Sequence, residues 1–381
     1  MDFEIEGQKQ KASNSWYRGE SCNFNPNAEN LESADAVLRH VVGSWAPPEP
    51  LIGPTTAVCA FGSCFAEHIS AWLAESNFNV LTKQSGEAET TYVVRFGEGL
   101  VNSYALLQQF EWAFENKVNE APLWHGYTTE QFGYDEKIRQ RTRDMFDRSD
   151  VFILTLGLSE VWYDEKTGGV FWRAVPQKHF DPSRHKFRVS TVEENKQNLR
   201  RIYQLIRQYR PSAKIIFTMS PIPLVATFRP VTCITANSAS KAILRAALDE
   251  LIREVVAEGH AYYWPSYEIV LDVFNDRWHD DRRHVRRQIL DYVMTVFERA
   301  WCKDIKPRYT MAQAWIAAKS ADGSYPQGLP KFLEKGQVEG VRRVLEGLEN
   351  REEKEKIAAI MTRIDELSAS MPRLLQLKTP A

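Results

Sequence analysis

The chain has few cysteines, almost no net charge and no C-x-x-C pair. Its five cysteines (Cys22, Cys59, Cys64, Cys233, Cys302) are scattered over 381 residues. This usage is typical of a reducing compartment and not of a disulfide framework. The formal net charge is −2. Nucleic acid is therefore disfavoured as the main partner, because a phosphate backbone demands a clustered positive surface.

Two further absences concern targeting and metal ions. The first eleven residues are polar and mixed in charge, with no apolar run behind them, and no stretch of about 18 apolar residues occurs anywhere. We therefore expect no signal peptide, no membrane span and a cytoplasmic location. His279, Asp280, Asp281 and His284 carry metal-binding side chains, but no H-E-x-x-H or C-x-x-C spacing accompanies them. We expect neither a metal nor a cofactor.

The stretch from Val58 to Leu73 predicts a strand that turns into a helix. Val58 to Phe61 is apolar throughout, and apolar residues then repeat at helical spacing after Gly62-Ser63-Cys64. Open α/β sheets bind ligands at such turns, where the next helix directs its free N–H groups into the turn. A thiol or hydroxyl there is placed to react with an acyl group. Alternatively, Ser63 is only a helix N-cap and Cys64 a small buried hydrophobe.

Five short apolar runs alternate with amphipathic helical patterns, which predicts a parallel sheet covered on both faces. We expect the strand order 2-1-3-4-5. The predicted parts are a wrapping N-terminal segment (1–56), an α/β domain (57–302), a linker (303–330) and a charged helical hairpin (331–381). The hairpin packs on the core or makes an oligomer contact. The five runs are Val58–Phe61, Phe78–Leu81, Val151–Leu156, Lys214–Met219 and Ala261–Trp264.

A second candidate group follows the last predicted strand. Asp281 precedes His284 by three residues, which on a helix places the carboxylate one turn behind the imidazole. An acid in that position holds the imidazole in one tautomer and stabilises its protonated form. Because right-handed crossovers bring all strand ends to one edge, we expect His284 near Cys64.

Several blocks of this sequence are shared with a known family. Gly62-Ser-Cys-Phe-Ala66 spells the GSCFA signature, and the chain resembles the GSCFA family over roughly residues 55 to 300. That family is similar to a distant branch of the SGNH (GDSL) hydrolases. The resemblance implies a flavodoxin-like sheet and a G-D-S turn that bears the nucleophile. It also implies a glycine and an asparagine as oxyanion donors and a D-x-x-H pair, which Asp281 and His284 match. The other shared blocks are Thr155–Trp162, Ser220–Leu224, Asn237–Lys241 and Pro265–Glu268.

The resemblance also implies roles for the residues of the turns. If Gly62 is laid on the glycine of G-D-S, Cys64 falls on the nucleophilic serine, so we prefer Cys64 and keep Ser63 as the alternative. The helix N-terminus and a nearby histidine are expected to lower the pKa of the Cys64 thiol. Where SGNH enzymes have G-x-N-D, this chain has Gly157-Leu-Ser159-Glu160, and the asparagine is missing.

Two side chains are candidate substitutes for that asparagine. The hydroxyl of Ser159 or the amide of Asn102 is expected to act as an oxyanion donor. Gly97 lies in a glycine-rich loop that lets a backbone approach a ligand, or that simply forms a tight turn.

These residues predict acyl transfer. Cys64 or Ser63 attacks an ester of a small molecule or glycan, His284 serves as base and then acid, and Asp281 orients it. Water as acceptor makes an esterase, and a polysaccharide hydroxyl with an acyl donor makes an O-acyltransferase. The alternative is a catalytically silent member of the fold that binds a saccharide or a protein.

Overall fold

The computed structural model describes residues 2–5, 8–11, 23–28, 30–31, 34–84, 86, 91–303, 305 and 311–325. The predicted C-terminal hairpin, with its oligomer contact, lies outside these residues. Within them the strands are β1 (Asp2–Ile5), β2 (Gln8–Lys11), β3 (Val58–Phe61), β4 (Trp124–His125), β5 (Gln131–Phe132), β6 (Val151–Leu156), β7 (Glu160–Asp164), β8 (His185–Val189), β9 (Lys214–Met219) and β10 (Ala261–Trp264).

The helices follow the predicted alternation with the strands of the sheet. Each begins within a few residues of the point at which the apolar pattern changes to helical spacing. They are α1 (Cys64–Glu75), α2 (Tyr92–Arg95), α3 (Ser103–Glu115), α4 (Glu136–Arg148), α5 (Val192–Tyr209), α6 (Cys233–Val255), α7 (Ser266–Val273), α8 (Arg287–Trp301) and α9 (Met311–Ala321). None of the helices in the described part of the chain is long and apolar enough to cross a membrane.

The central sheet is parallel and has the order β10-β9-β6-β3. Its strands are almost fully buried, because helices cover both faces. Successive residues of a strand point to opposite faces. Val58 and Ala60 accordingly pack with α1, α7, α8 and α9, whereas Cys59 and Phe61 pack with α3 to α6. The predicted α/β arrangement, a parallel sheet with helices on both faces, is confirmed.

The fifth strand of the prediction is not formed. Residues 78–81 make a single parallel bridge, Val58 to Val80, at the outer edge of β3. The N–H of Val80 turns back to the carbonyl of Phe78, 3.0 Å away, and a 3₁₀ turn begins at Leu81. The segment therefore supplies too few outward N–H groups for a ladder, and the sheet has four strands.

Three of the segments outside the sheet lie against its edge or its helices. β7 and β8 form an antiparallel hairpin beside the end of β6. Residues 34–56 pack along α8, where the N–H groups of Leu51 and Ile52 donate to the carbonyl of Trp301 at 2.9 and 2.8 Å. The predicted linker contains α9, which packs against α8 through Trp315 and Tyr292, with ring centroids 5.1 Å apart.

Candidate active site

The turn between β3 and α1 brings two strand ends together. Gly62 has φ +130°, and a Cβ there would lie 2.2 Å from the carbonyl oxygen of Thr155 on β6. Only glycine fits this close approach. The N–H of Gly62 donates to the carbonyl of Gly97 at 3.0 Å, so the glycine-rich loop is fixed against the turn.

Ser63 and Cys64, the two candidate nucleophiles, take different positions at the start of α1. The Oγ of Ser63 accepts from the N–H of Phe65 at 3.2 Å, and the Ser63 side chain is 2% exposed. Ser63 is therefore the N-cap of α1. Cys64 is the first residue of the helix and is only partly buried. Of the two candidate nucleophiles, Cys64 has the freer side chain.

Cys64 lines a cavity of about 390 Å³ at the carboxyl edge of the sheet. This is within the range of small-molecule sites. Five predicted site residues line it: Ser63, Cys64, Asn102, Gly157 and Glu160. The rest of the wall is largely apolar and aromatic. It comes from the loop before α3, the ends of β6 and β9, and the β7–β8 hairpin. Its residues are Val101, Leu158, Val161, Trp162, Phe171, Trp172, Phe187, Ile222, Pro223, Leu224, Val225, Ala226 and Phe228, with Glu98, Arg173, Ala174, Ser220 and Arg283.

The thiol of Cys64 differs from expectation in its acidity. Burial raises its pKa, and so does the carboxylate of Glu98. The backbone N–H groups of Cys64 and Phe65 and the guanidinium of Arg283 act in the opposite direction, but they do not prevail. The predicted lowering of the pKa is therefore wrong, because the site is drier and nearer a carboxylate than the sequence suggested.

Asp281 and His284 form the predicted pair. The ring Nδ1 of His284 contacts Oδ2 of Asp281, and the N–H of His284 donates to Oδ1 at 3.0 Å. The pair lies on a turn and not on a helix, closed by the bridge between Trp278 and Val285. Hydrogen bonds from the N–H of Arg283 and from His284 hold the pKa of the Asp281 carboxyl well below its usual range. The carboxylate is thus charged and can stabilise an imidazolium.

His284 does not contact Cys64 directly. Both residues are described, and no hydrogen bond joins the thiol to the imidazole. His284 lines an adjoining pocket of about 210 Å³ with Phe65, His68 and Ile222, and Ile222 belongs to the cavity of Cys64 as well. Arg283, the neighbour of His284, also lines that cavity. The pair therefore lies at the same edge of the sheet as Cys64, one pocket away.

The expected oxyanion donors are already engaged with the protein. The N–H of Gly157 donates to the carbonyl of Val101 at 2.7 Å. The Nδ2 of Asn102 donates to the carbonyl of Trp172 at 3.1 Å, while its Oδ1 caps α3 by accepting from Ala105. These groups hold the walls of the cavity in place.

Ser159 and Glu160 also serve the framework of the site. The Oγ of Ser159 bonds that of Ser240 at 3.2 Å, and Ser159 is absent from the cavity wall. Both carboxylate oxygens of Glu160 accept from the hydroxyl of Thr227, at 2.9 and 2.8 Å, which ties the loop after β9 to β7. Within the described residues, no three His, Cys, Asp or Glu side chains are placed to hold a metal ion.

Lys241 was missed as a site residue, although it ends the block Asn237–Lys241. Its Nζ, which is buried, donates to the carbonyls of Gly157, Ser220 and Ile222 at 2.7, 2.7 and 2.9 Å. It thereby joins the ends of β6 and β9. Burial lowers the pKa of Lys241 to about 7, and the charge of a Cys64 thiolate acts to raise it. A charged Lys241 and a thiolate at Cys64 therefore favour each other.

The profile of the GSCFA family matches residues 57–297, which include the turn of Cys64 and the Asp281–His284 pair. The chain belongs to the GSCFA family. No curated protein matches this GSCFA chain. The family match spans β3 to α8, so it covers the whole sheet and all the residues that line the cavity.

The raised pKa of Cys64 leads to a first prediction for this GSCFA protein. Glu98→Gln removes a negative charge beside the thiol, so the pKa of Cys64 should fall and its thiolate should form at lower pH. We expect the pH profile of iodoacetamide labelling at Cys64, followed by peptide mass spectrometry, to shift towards acid. Glu254→Gln, near the far end of α6, is the control and should leave the profile in place. An unshifted profile in Glu98→Gln would show that Glu98 does not affect the pKa of Cys64.

Proposed function

We propose that this GSCFA protein is an acyl-transfer enzyme in which the thiol of Cys64 takes an acyl group from an ester. The observation that carries the proposal is the placement of Cys64 at the N-terminus of α1, on the wall of a largely apolar cavity. Reactive cysteines typically occupy such partly exposed helix N-termini. The resemblance of Asp281 and His284 to the D-x-x-H pair of SGNH hydrolases supports the same reading.

The reaction follows from the groups that surround the thiol. His284 accepts the proton of the Cys64 thiol as sulfur attacks the carbonyl carbon of the ester, and the negative charge moves to the carbonyl oxygen. The backbone N–H of Cys64 at the start of α1, which favours a charged sulfur, is the donor to that oxygen in the proposed reaction. The C–O bond then breaks, and His284 returns its proton to the leaving alcohol. Water or another hydroxyl repeats the attack on the thioester and releases Cys64.

His284 must approach Cys64 for this sequence to proceed. Its turn is exposed, and the two pockets that separate the residues share Ile222. Catalytic hydrogen bonds are often long without substrate and tighten when it binds. A movement of the 279–284 turn on ligand binding supplies the contact in the proposed mechanism.

A second pocket supports a hydroxyl-rich alcohol as leaving group or acceptor. It measures about 380 Å³, shares Ser63 and Glu98 with the cavity of Cys64, and is more polar. Lys83, Gln84 and Arg95 line it with further side chains that suit the hydroxyls of a sugar. We therefore favour an acyl group in the first cavity and a glycan or similar alcohol in the second, as in an esterase or an O-acyltransferase.

The second candidate function is ligand binding without chemistry. It is favoured by the raised pKa of Cys64 and by the engagement of Gly157 and Asn102, which leaves few donors for an oxyanion. Losing one such donor typically lowers the rate on the order of a hundredfold or more. A silent member of the fold would keep the cavity and lose only turnover.

Acylation of the protein separates the two functions. The full chain is mixed with p-nitrophenyl acetate or octanoate, and p-nitrophenol release and intact mass are followed together. An enzyme should show a burst of p-nitrophenol and a mass increase of one acyl group, located on the peptide that carries Cys64. A sugar acceptor that speeds the decay of this adduct would indicate a transferase. Binding of octanoate without any adduct would support the second function.

A further inference from the structure

One wall of the Cys64 cavity carries four buried hydrogen-bond donors that have no acceptor. They are the Nε1 of Trp162, the Nε1 of Trp172, and the Nε and Nη2 of Arg173, none of which has a partner among the described residues. All three residues line the cavity. Buried polar groups are nearly always paired, so such a set calls for an explanation. Because all four atoms are donors, a ligand that satisfies them must bring acceptor oxygens.

Arg173 differs from three other part-buried arginines of the fold, each of which is paired with a carboxylate. Arg184, Arg188 and Arg245 are each paired with a carboxylate, of Asp164, Glu194 and Glu268. In the part of the chain that the structure describes, Arg173 forms no ion pair. Its guanidinium instead lies over the ring of Tyr127, 4.5 Å from the centroid.

The guanidinium of Arg173 occupies space that is free because residue 99 is glycine. A Cβ at Gly99 would lie 1.9 Å from the Nη2 of Arg173, so glycine leaves the room that the guanidinium fills. Glu98, the neighbour of Gly99, lines the cavities on both sides of Ser63. Glu98 is exposed and forms no hydrogen bond or ion pair with Arg173. The guanidinium of Arg173 therefore places a positive charge, without a carboxylate partner among the described residues, at the junction of the two cavities.

We propose that the Cys64 cavity binds an amphipathic ligand that has an apolar chain and an anionic oxygen-bearing group, a carboxylate or a phosphate, held by Arg173. The apolar residues that line the cavity contact the apolar chain of the ligand. The planar guanidinium matches the two oxygens of either anion. This proposal rests on the proposed function, since it names the substrate class of the same cavity. It would still hold for a protein that binds without chemistry.

Calorimetric titration of the full chain tests the charge preference. The probes are octanoate, octyl phosphate and 1-octanol, which share one chain and differ in the head group. At least one anion should bind about 10- to 100-fold tighter than 1-octanol, as expected for a charge-assisted hydrogen bond. The tighter anion identifies the head group as carboxylate or phosphate. Equal affinities for all three probes, or no binding of either anion, would overturn the proposal.

Variants then assign the preference to Arg173. Arg173→Gln should bring the affinity for the preferred anion down to that for 1-octanol, and Arg173→Lys should restore part of it. Arg253→Gln, an exposed arginine near the far end of α6, is the matched control and should bind as the wild type does. Thermal melting checks that each variant is folded. If a folded Arg173→Gln protein keeps the full anion preference, Arg173 is not the anion site.

Acylation distinguishes this proposal from the proposed function. If the preferred anion binds but no adduct forms at Cys64, the anion site is supported and the acyl-transfer activity is contradicted. If octanoate esters form an adduct but the anions bind no tighter than 1-octanol, the acyl-transfer activity is supported and the anion site is contradicted.

Discussion

Cys64→Ala is expected to abolish acyl-enzyme formation while the protein stays folded. The thiol is the only nucleophilic atom that the variant removes, and Cys64 makes no side-chain hydrogen bond on which the described fold depends. With p-nitrophenyl octanoate, the wild type should gain one octanoyl group and the variant none, as read by intact mass. Cys64→Ser should leave a weak residual activity, because a hydroxyl is a poorer nucleophile than sulfur and depends fully on a base.

Ser63→Ala is the matched control for the neighbouring position. The hydroxyl of Ser63 caps α1, so its loss should cost about 1 kcal/mol of unfolding free energy in a denaturant titration, with acylation largely kept. The opposite pattern would contradict the assignment. If Ser63→Ala is inactive and Cys64→Ala still accepts the acyl group, the nucleophile is the serine.

The sheet was predictable from the sequence because its strands are buried on both faces. β3, β6, β9 and β10 are largely apolar runs, and the bounds of all four match the predicted ones. The segment at residues 78–81 is apolar except for Asn79, but the N–H of Val80 turns inward to Phe78, which composition does not reveal. The β7–β8 hairpin was missed because β8 is half-buried and mixes His, Lys and Arg with apolar residues.

The candidate site was predictable only where neighbours in sequence decide the geometry. The cap by Ser63 and the Asp281–His284 pair each join residues no more than three positions apart, and both were expected. The engagement of Asn102 depends on Trp172, 70 residues away, and that of Lys241 on Gly157, 84 residues away. Residue type tells what a side chain can donate, and long-range contacts decide where it donates. Arg173 was missed for this reason, since Gly99 and Tyr127 position it.

His284→Ala is expected to lower turnover by about 10²- to 10⁴-fold, the usual contribution of a general base. The raised pKa of Cys64 makes this base more important, because most of the thiol must lose its proton during attack. Asp281→Asn should also slow turnover, since an amide no longer stabilises the imidazolium or fixes the tautomer. Stopped-flow release of p-nitrophenol measures both effects, and added imidazole should restore part of the activity of His284→Ala.

His68→Ala decides whether His284 acts as a base or merely as part of the pocket. His68 lines the same pocket beside Phe65, and burial together with Arg287 lowers its pKa, so it is a neutral imidazole near the start of α1. If His284 is the base, His68→Ala should keep most of the burst rate and imidazole should not affect it. If His68→Ala is inactive and His284→Ala is not, the base is the histidine on α1, and the Asp281–His284 pair serves the structure of its turn. Equal losses without rescue by imidazole would mean that both changes act through the shape of the pocket and that neither histidine takes the proton.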